Sequence, residues 1–486
     1  MEMKNGMKSR MSEPLWTSQA VAEATGGKIT GKWNVNGISI DSRRCQAGDL
    51  FFALSGPHHD GHDFVDAAIS AGAVGAVVEH LVDGIAPGQQ IIVDNVKEAL
   101  WNLGKAARAR VNCPIIAITG SAGKTGTKEA LMEVLDRQGR AHASKKSYNN
   151  DIGVPLSLAR MPENVDFSIF ELGMNHAGEL RALTKLVRPH VAIVTMVASA
   201  HREFFDHEED IADAKAEIFE GLEGPAVAIL NRDNRHYERL RDHAVAAGAE
   251  KIVAFGEHQD AQIRPLRTAL GDTCSCIVAD VQDVQLTYKI GMVGHHWILN
   301  SLAVLAAVKV LGADLGLAGL ALAELSPLKG RGQRHRLYLD DGSMDSILLI
   351  DESYNANPAS MKAAISALQH QPIEGRGRRI AVLGQMVELG ENAPQFHADL
   401  LAPLRDAHLD QVYLYGKDMK YLFERLPSRM RGGYFTDLEA LQVALHEDLR
   451  DGDVVMVKGS NASGMSRIVD YLLDRDRSTV DIAANG

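Results

Sequence analysis

At 486 residues, with 45% hydrophobic and 23% charged residues, the chain has the make-up of a folded globular protein with room for about three domains. Its 51 Lys and Arg stand against 63 Asp and Glu, a formal net charge of −12, which argues against a nucleic-acid coat or an anionic-membrane binder. This acidity does not exclude phosphate ligands, since one lysine and a ring of backbone N–H groups hold a phosphate within an acidic protein.

Four cysteines, Cys45, Cys113, Cys274 and Cys276, are too few and too scattered for a disulfide framework or a zinc site of paired CxxC spacing. The opening segment MEMKNGMKSRMSEPLW holds no apolar stretch that would serve as a signal peptide. No uncharged apolar run reaches the roughly 18 residues of a membrane span. Ser301–Val308 is apolar but stops at Lys309. A cytoplasmic monomer with neither nucleic-acid nor membrane partners is expected.

In chain order, residues 1–95 read as a small α/β unit, with a helix over Ala67–Ala73 and a strand over Gly75–Val78. A helix near Val96–Arg110 leads into a strand at Ile115, opening a central domain that covers 96–328. Within it the apolar runs Ile115–Ile118, Phe167–Phe170, Val191–Val194 and Val227–Leu230 are separated by helical stretches. The Gly-rich, basic stretch Lys329–Arg336 reads as a linker. A final unit, 329–486, repeats the rhythm with Ile347–Ile350, Ile380–Leu383, Val412–Tyr415 and Val454–Val457. Strands spaced by helices predict parallel α/β sheets. Ligands of such sheets collect at the carboxyl ends of the strands, so polar residues there carry most weight.

The strongest motif is Ile115-Ile-Ala-Ile-Thr-Gly-Ser-Ala-Gly-Lys-Thr-Gly-Thr-Lys-Glu129. A buried-type strand ends at Thr119, a Gly-bounded loop turns, and a helix starts around Thr125 with Leu131, Val134 and Leu135 on one face. Backbone N–H groups of such a loop converge on a phosphate, aided by the helix dipole. Gly120, Ser121, Ala122, Gly123, Lys124, Thr125 and Gly126 are the candidate ATP-binding residues. Lys124 would reach the terminal phosphates and the Thr125 hydroxyl would ligate Mg²⁺. The usual GxxxxGK[ST] spacing needs Gly at Ile118, so the match is to a shorter TGxxGKT variant.

Glu171 follows the strand Asp166–Phe170, where a carboxylate can hold Mg²⁺ directly or through water; an exposed strand-end carboxylate is the plain alternative. His201 follows the apolar run Val191–Ala200 in the same way. Lys215 lies in the middle of a helical stripe made by Ile211, Ala214, Ile218, Phe219 and Leu222, with Asp213, Glu217 and Glu220 on the other side. A lysine on a buried face either snorkels or loses its proton. A deprotonated amine can add CO₂, and the resulting carbamate would be an anionic oxygen ligand for Mg²⁺ beside His201 and Glu171.

This constellation resembles the Mur ligase superfamily over nearly the whole chain. The pieces are Asp41-Ser-Arg, Gly48-Asp-Leu-Phe-Phe-Ala-Leu, Asp60-Gly-His-Asp-Phe, the phosphate loop, Tyr148-Asn-Asn-Asp-Ile-Gly-Val-Pro and Glu171-Leu-Gly-Met-Asn-His. They continue with Ala200-His, Ala214-Lys-Ala-Glu-Ile, Gly294 through Asn300, and Asp351-Glu-Ser-Tyr-Asn-Ala-Asn-Pro-Ala-Ser-Met361. The last element matches members that use D-alanyl-D-alanine, and the DNPR element of the diamino-acid-adding members is absent. The resemblance implies three α/β domains. These are a small N-terminal one for the UDP-linked substrate, a central P-loop ATPase-type parallel sheet and a C-terminal Rossmann-like unit. It implies ATP, Mg²⁺ (two ions), a carbamylated Lys215 and the small-molecule substrates UDP-muramoyl tripeptide and D-alanyl-D-alanine, in cell-wall precursor synthesis. Lys124, His201 and Lys215 would be catalytic, and Thr125, Glu171, His201 and Lys215 would hold metal.

The resemblance also assigns Ser42, Arg43, Asp60, Gly61 and His62 to the uridine nucleotide pocket, where a turn-rich surface loop is the alternative. Asn149 and Asn150 would line the muramoyl cleft. Asn300, read as opening the helix Ser301–Leu311, would face adenine or merely cap that helix. Arg331 and Asp351 would approach phosphates and ribose. Tyr354, Asn355 and Asn357 would face the dipeptide, or serve to cap the helix started by Pro358. Three positions depart from the family pattern: Arg202 where Leu is common, Gln385 where Asp is usual, and Asn461-Ala-Ser-Gly-Met-Ser after Lys458-Gly-Ser. Another superfamily ligase with a different amino acid or a folate-type acceptor, a P-loop kinase, and a silent nucleotide-binding module remain as alternatives.

Overall fold

Three parallel-based sheets, with the apolar runs described above among their strands, organise the chain. The structure, a computed structural model, describes residues 13–56, 59–145, 147–198, 205, 207–271, 273–339 and 345–476. The first sheet has four parallel strands in chain order, Gly37–Ser39, Asp49–Phe52, Gly75–Val78 and Gln90–Ile92. The expected helix before the third of these spans Val65–Ser70 rather than Ala67–Ala73. Gly72, at φ 105°, turns the chain back into the sheet before Ala73 can join that helix.

The central sheet has nine strands. Ile115–Thr119 lies inside it, between Phe167–Glu171 and Val191–Val194, and all three run parallel. Its residues are buried on both faces: Ile116 and Ile118 enter one core layer, Ile115 and Ala117 the other. Full burial of each large aliphatic side chain contributes about 1.5–3 kcal/mol, which makes this strand a rigid base for the loop it carries. The sheet departs from the all-parallel expectation at one edge. There Ile263–Leu270, Ser275–Val281 and Val284–Ile290 form an antiparallel meander, which presents polar or charged residues at alternate positions instead of a short apolar run.

The third sheet has six strands, five of them parallel. Its antiparallel edge strand is Gln333–Tyr338, so half of the stretch read as a linker is structured. Arg334 and Arg336 disguised it, because an edge strand exposes one face to water. Only Leu328–Gly332 stays connective. Two further expectations are corrected. The helix assigned to Ser301–Leu311 spans His295–Val310, so Asn300 sits in its interior and caps nothing. Glu217 is buried rather than on the solvent side, because the helix Glu208–Ala216 tightens into a 3₁₀ turn over Glu217–Gly221. Its carboxylate accepts from the N–H groups of Gly178 (2.7 Å) and Arg181 (3.0 Å) at the start of the helix Glu179–Val187. Among the described residues no helix is long and apolar enough to cross a membrane.

Candidate active site

The loop after Ile115–Thr119 owes its shape to two glycines. Gly120 (φ 152°) and Gly123 (φ 85°) occupy backbone space that side chains rarely enter. A Cβ on Gly120 would lie 2.0 Å from the Thr195 hydroxyl, and one on Gly123 2.7 Å from the Asn300 Oδ1. The helix Lys124–Asp136 then starts without a side-chain cap, and helix N-termini of this kind favour anions. Asn300, from the interior of its own helix, therefore stands directly against the loop.

Lys124 folds back so that its Nζ donates to the Gly120 carbonyl at 2.5 Å. Burial pushes its ammonium below the ordinary lysine value, Glu171 opposes that shift and Arg331 adds to it. Glu171, paired in register with Ile118, is the last residue of its strand and is 1% exposed, not the exposed strand end that was its alternative. One carboxylate oxygen accepts from the Thr125 hydroxyl at 2.8 Å and the other from the Asn149 amide at 2.8 Å. Asn150 turns away: its Oδ1 accepts from the Gly153 N–H at 2.9 Å at the start of the helix Gly153–Ala159.

Lys215 is 1% exposed, and its amine is pushed well below the ordinary lysine range, first by burial and then by the Lys124 charge. Glu171 and Thr125 are in contact, and Lys215 is within electrostatic range of Lys124. His201 lies outside the described residues. Among those described, no group of three or more His, Cys, Asp or Glu side chains is arranged to hold a metal ion. The Thr125 hydroxyl and Glu171 carboxylate are nonetheless hard oxygen donors, the kind Mg²⁺ takes.

The third domain reaches across to this loop. Arg331 donates to the Thr125 hydroxyl at 3.1 Å while its guanidinium lies 4.1 Å over the Tyr354 ring. The Asn357 amide donates to the Ser121 carbonyl at 3.2 Å, and its Oδ1 caps the helix Pro358–Gln369 by accepting from the Ser360 N–H at 2.8 Å. Capping and site contact are thus two uses of one side chain. Asp351 is 1% exposed and accepts from the Gly330 N–H at 2.9 Å and the Ser353 hydroxyl at 2.6 Å, shaping the connection that carries Arg331. Asn355 bonds to the Ala356 N–H at 2.9 Å.

In the first domain, Ser42 and Arg43 sit on the 3₁₀ turn Ser42–Arg44, where Arg43 pairs with Asp41 at 2.8 Å. Asp60 and His62 are occupied with each other at 2.6 Å, and the other His62 nitrogen accepts from the Glu79 N–H at 2.9 Å. The His62 backbone N–H above all, then the His62 ring and the Ser55 hydroxyl, hold the Asp60 carboxyl at about 2. Gly61 packs where a Cβ would lie 2.5 Å from the Ala53 carbonyl carbon.

Three residues that brace the loop escaped the sequence reading. Thr195 donates to the Ala122 carbonyl at 2.6 Å, Asn231 to the Thr195 carbonyl at 3.1 Å and Asn234 to the Val197 carbonyl at 2.9 Å. Thr195 and Asn231 stand at the carboxyl ends of the runs Val191–Val194 and Val227–Leu230, the same signal that singled out Glu171.

A sheet-borne phosphate loop with a second α/β domain docked on it defines a nucleotide-using enzyme of the Mur ligase kind, and the chain belongs to the Mur ligase family. Family models match in order: catalytic domain over 34–117, middle domain over 118–308 and glutamate ligase domain over 335–461. Within the family, a UDP-N-acetylmuramoyl-tripeptide–D-alanyl-D-alanine ligase of Rickettsia prowazekii is 32% identical over 458 residues, covering 94% of this chain and 99% of its own. The crystal structure of MurF from Acinetobacter baumannii superposes with a TM-score of 0.80 at 29% identity, covering 94% of this chain and 99% of its own. MurF of Thermotoga maritima in complex with ADP gives 0.73 at 25% identity, covering 90% and 97%.

Proposed function

We propose that this chain joins D-alanyl-D-alanine to UDP-N-acetylmuramoyl-tripeptide at the expense of ATP, in peptidoglycan precursor synthesis in the cytoplasm. A carboxylate resists an amine because its leaving group would be oxide. Transfer of the γ-phosphoryl group to the tripeptide carboxylate gives an acyl phosphate and ADP. The dipeptide amine then adds to that carbonyl, the amine proton is lost, and the tetrahedral adduct expels phosphate to leave an amide. The observation that carries this reading is the docking of third-domain Arg331 and Asn357 on Thr125 and Ser121 of the phosphate loop. Such docking would bring an acceptor-binding domain to the phosphates, which a silent nucleotide module does not need.

The residues divide the work by their chemistry. The loop Gly120–Gly126 and Lys124 would hold the β- and γ-phosphates, with Asn300 beside the loop and Arg331 and Asp351 closing from the third domain. Bringing two anions together is the central difficulty, and Lys124, Arg331 and the loop N–H groups would screen it. Mg²⁺, two ions on this reading, supplies further charge neutralisation when bound at Thr125, Glu171 and His201. Lys215, its amine stripped of water and beside a second cation, suits addition to CO₂ with loss of a proton, giving a carbamate. Asn149, Asn150, Ser42, Arg43 and the Asp60–His62 turn belong to the UDP-substrate side, and Tyr354, Asn355 and Asn357 to the dipeptide side. We assign 1–95, 96–328 and 329–486 to the three substrates in turn. Placing the helix Val96–Ala109 with the central unit is supported by Arg108, which donates to the Val187 carbonyl at 2.7 Å and pairs with Glu223.

The test is phosphate release from ATP and UDP-muramoyl tripeptide with varied amines. Release that depends on D-alanyl-D-alanine is expected. Release with no amine would instead mark a kinase or phosphatase, and dependence on another amine a different ligase of the family.

A further inference from the structure

Behind the loop that carries Tyr354 and Asn357 lie contacts that the chemistry above does not use. Lys458 ends the strand Val454–Lys458 and is 3% exposed. Its ammonium donates to the Asn355 carbonyl at 3.0 Å and pairs with Glu352 at 3.3 Å. Ser460 is wholly buried; its hydroxyl donates to the Ala356 carbonyl at 3.1 Å and accepts from the Val387 N–H at 3.1 Å. Two consecutive carbonyls are therefore gripped from one side. From the other side of the same short loop, Asn357 bonds to Ser121 and Tyr354 supports the Arg331 that bonds to Thr125. The central domain approaches here as well, since the imidazole of His296 is influenced by both Glu352 and Lys458.

A lysine needed only to neutralise Glu352 would have no reason to place its shorter contact on a backbone carbonyl. Nor would Ser460 be needed to hold the next one. We propose that Lys458 and Ser460 are positioning residues that fix the Asn355–Ala356 backbone, so that Asn357 meets the phosphate loop directly and Tyr354 through Arg331, tying nucleotide handling to the third domain. This rests on reading Gly120–Thr125 as the nucleotide loop.

The test uses the full chain with Lys458→Met, Lys458→Arg and Ser460→Ala. Two quantities are followed: the KM for ATP, and hydrogen exchange of the 119–126 segment with and without ADP. Loss of the charge-assisted bond to the Asn355 carbonyl should raise the KM for ATP about tenfold in Lys458→Met, and loss of the hydroxyl bond to the Ala356 carbonyl about fivefold in Ser460→Ala. The KM for the UDP-substrate should stay put, and 119–126 should exchange faster although it lies in another domain. Lys458→Arg should recover part of the loss. Adding Asn357→Ala to Lys458→Met should bring little further change, because both break one tether. Additive losses would overturn the proposal, as would an unmoved KM for ATP with unmoved exchange. If Lys458→Met instead loosens the strand Val454–Lys458 itself, Ser460→Ala decides. Should the wild-type chain release no phosphate with any amine, the functional reading fails, while the exchange measurement still judges the tether.

Discussion

Asn357 performs two tasks that substitution can separate. Its Oδ1 caps the helix Pro358–Gln369 in a capping box completed by Ser360, and its Nδ2 crosses to the Ser121 carbonyl at 3.2 Å. Alanine removes both. Loss of the cap costs about 1 kcal/mol of third-domain stability, which lowers the melting temperature by about 2–4 °C in a domain of this size. Loss of the interdomain bond, a neutral and partly buried one, costs about 1 kcal/mol, or roughly fivefold in kcat/KM for ATP. Serine restores the cap, since its hydroxyl accepts from the same N–H, but is too short to span to Ser121. Asn357→Ser is therefore expected to melt like the wild type yet keep the fivefold kinetic loss, while Asn357→Ala shows both defects. Thermal unfolding by calorimetry and initial rates at varied ATP measure the two effects separately. A serine variant with wild-type kcat/KM for ATP would refute the claim that this amide joins the domains.

Other substitutions probe the loop, the buried amine and the third-domain scaffold. Gly123→Ala forces a Cβ at φ 85° to within 2.7 Å of Asn300; the strain of about 1–2 kcal/mol should raise the KM for ATP roughly five- to thirtyfold while the sheet stays folded by circular dichroism. For Lys215, the unfolded chain binds the proton more readily than the folded one. Stability contributed by this group therefore rises with pH from the depressed folded value up to the ordinary lysine value of 10.5. Lys215→Met in CO₂-free buffer should thus melt above the wild type at pH 7, with the gap closing as pH approaches 10, and should make no amide; a lower melting temperature at pH 7 would contradict the burial argument. Arg378→Met should destabilise the third domain by about 3 kcal/mol, because it strands the buried Asp453 carboxylate that Arg378 pairs at 2.7 Å. Urea titration measures that loss.

The parallel strands were legible because a strand buried on both faces is an unbroken apolar run, and Ile115–Thr119 is one from end to end. The same rule hid the antiparallel edges. Gln333–Tyr338 interleaves charge with its pairing residues and resembles a solvated linker until its partner Ser346–Glu352 is seen. Motif residues whose job is local, such as Gly120 and Gly123, could be found from spacing alone. Asn300 stands against the loop, yet its place in the helix was misread, since the apolar stretch after it looks like a helix start, whereas the helix begins at His295 under Gly294. Thr195, Asn231, Lys458 and Ser460 act through backbone carbonyls far away in sequence, and nothing in a one-dimensional pattern records which carbonyl a side chain will meet.

The electrostatics of the cleft explain how so acidic a protein handles anionic substrates. The Glu171 carboxylate and the Arg331 guanidinium both act on Lys124, the Lys124 charge acts on Lys215, and burial weakens the hold of both lysines on a proton, further for Lys215. On the proposed reading, a phosphate beside Lys124 would favour its charged form and offset the desolvation that burial imposes. The surplus of negative charge on the chain as a whole lies outside this pocket and is screened beyond about 8–10 Å at ordinary ionic strength. The two buried amines differ in their surroundings: Lys124 has the Glu171 carboxylate favouring its charged form, whereas Lys215, pushed well below the ordinary lysine range, has no ion pair among the described residues. The arrangement makes sense of a lysine at the centre of an apolar helix face, which stability alone would have replaced with methionine.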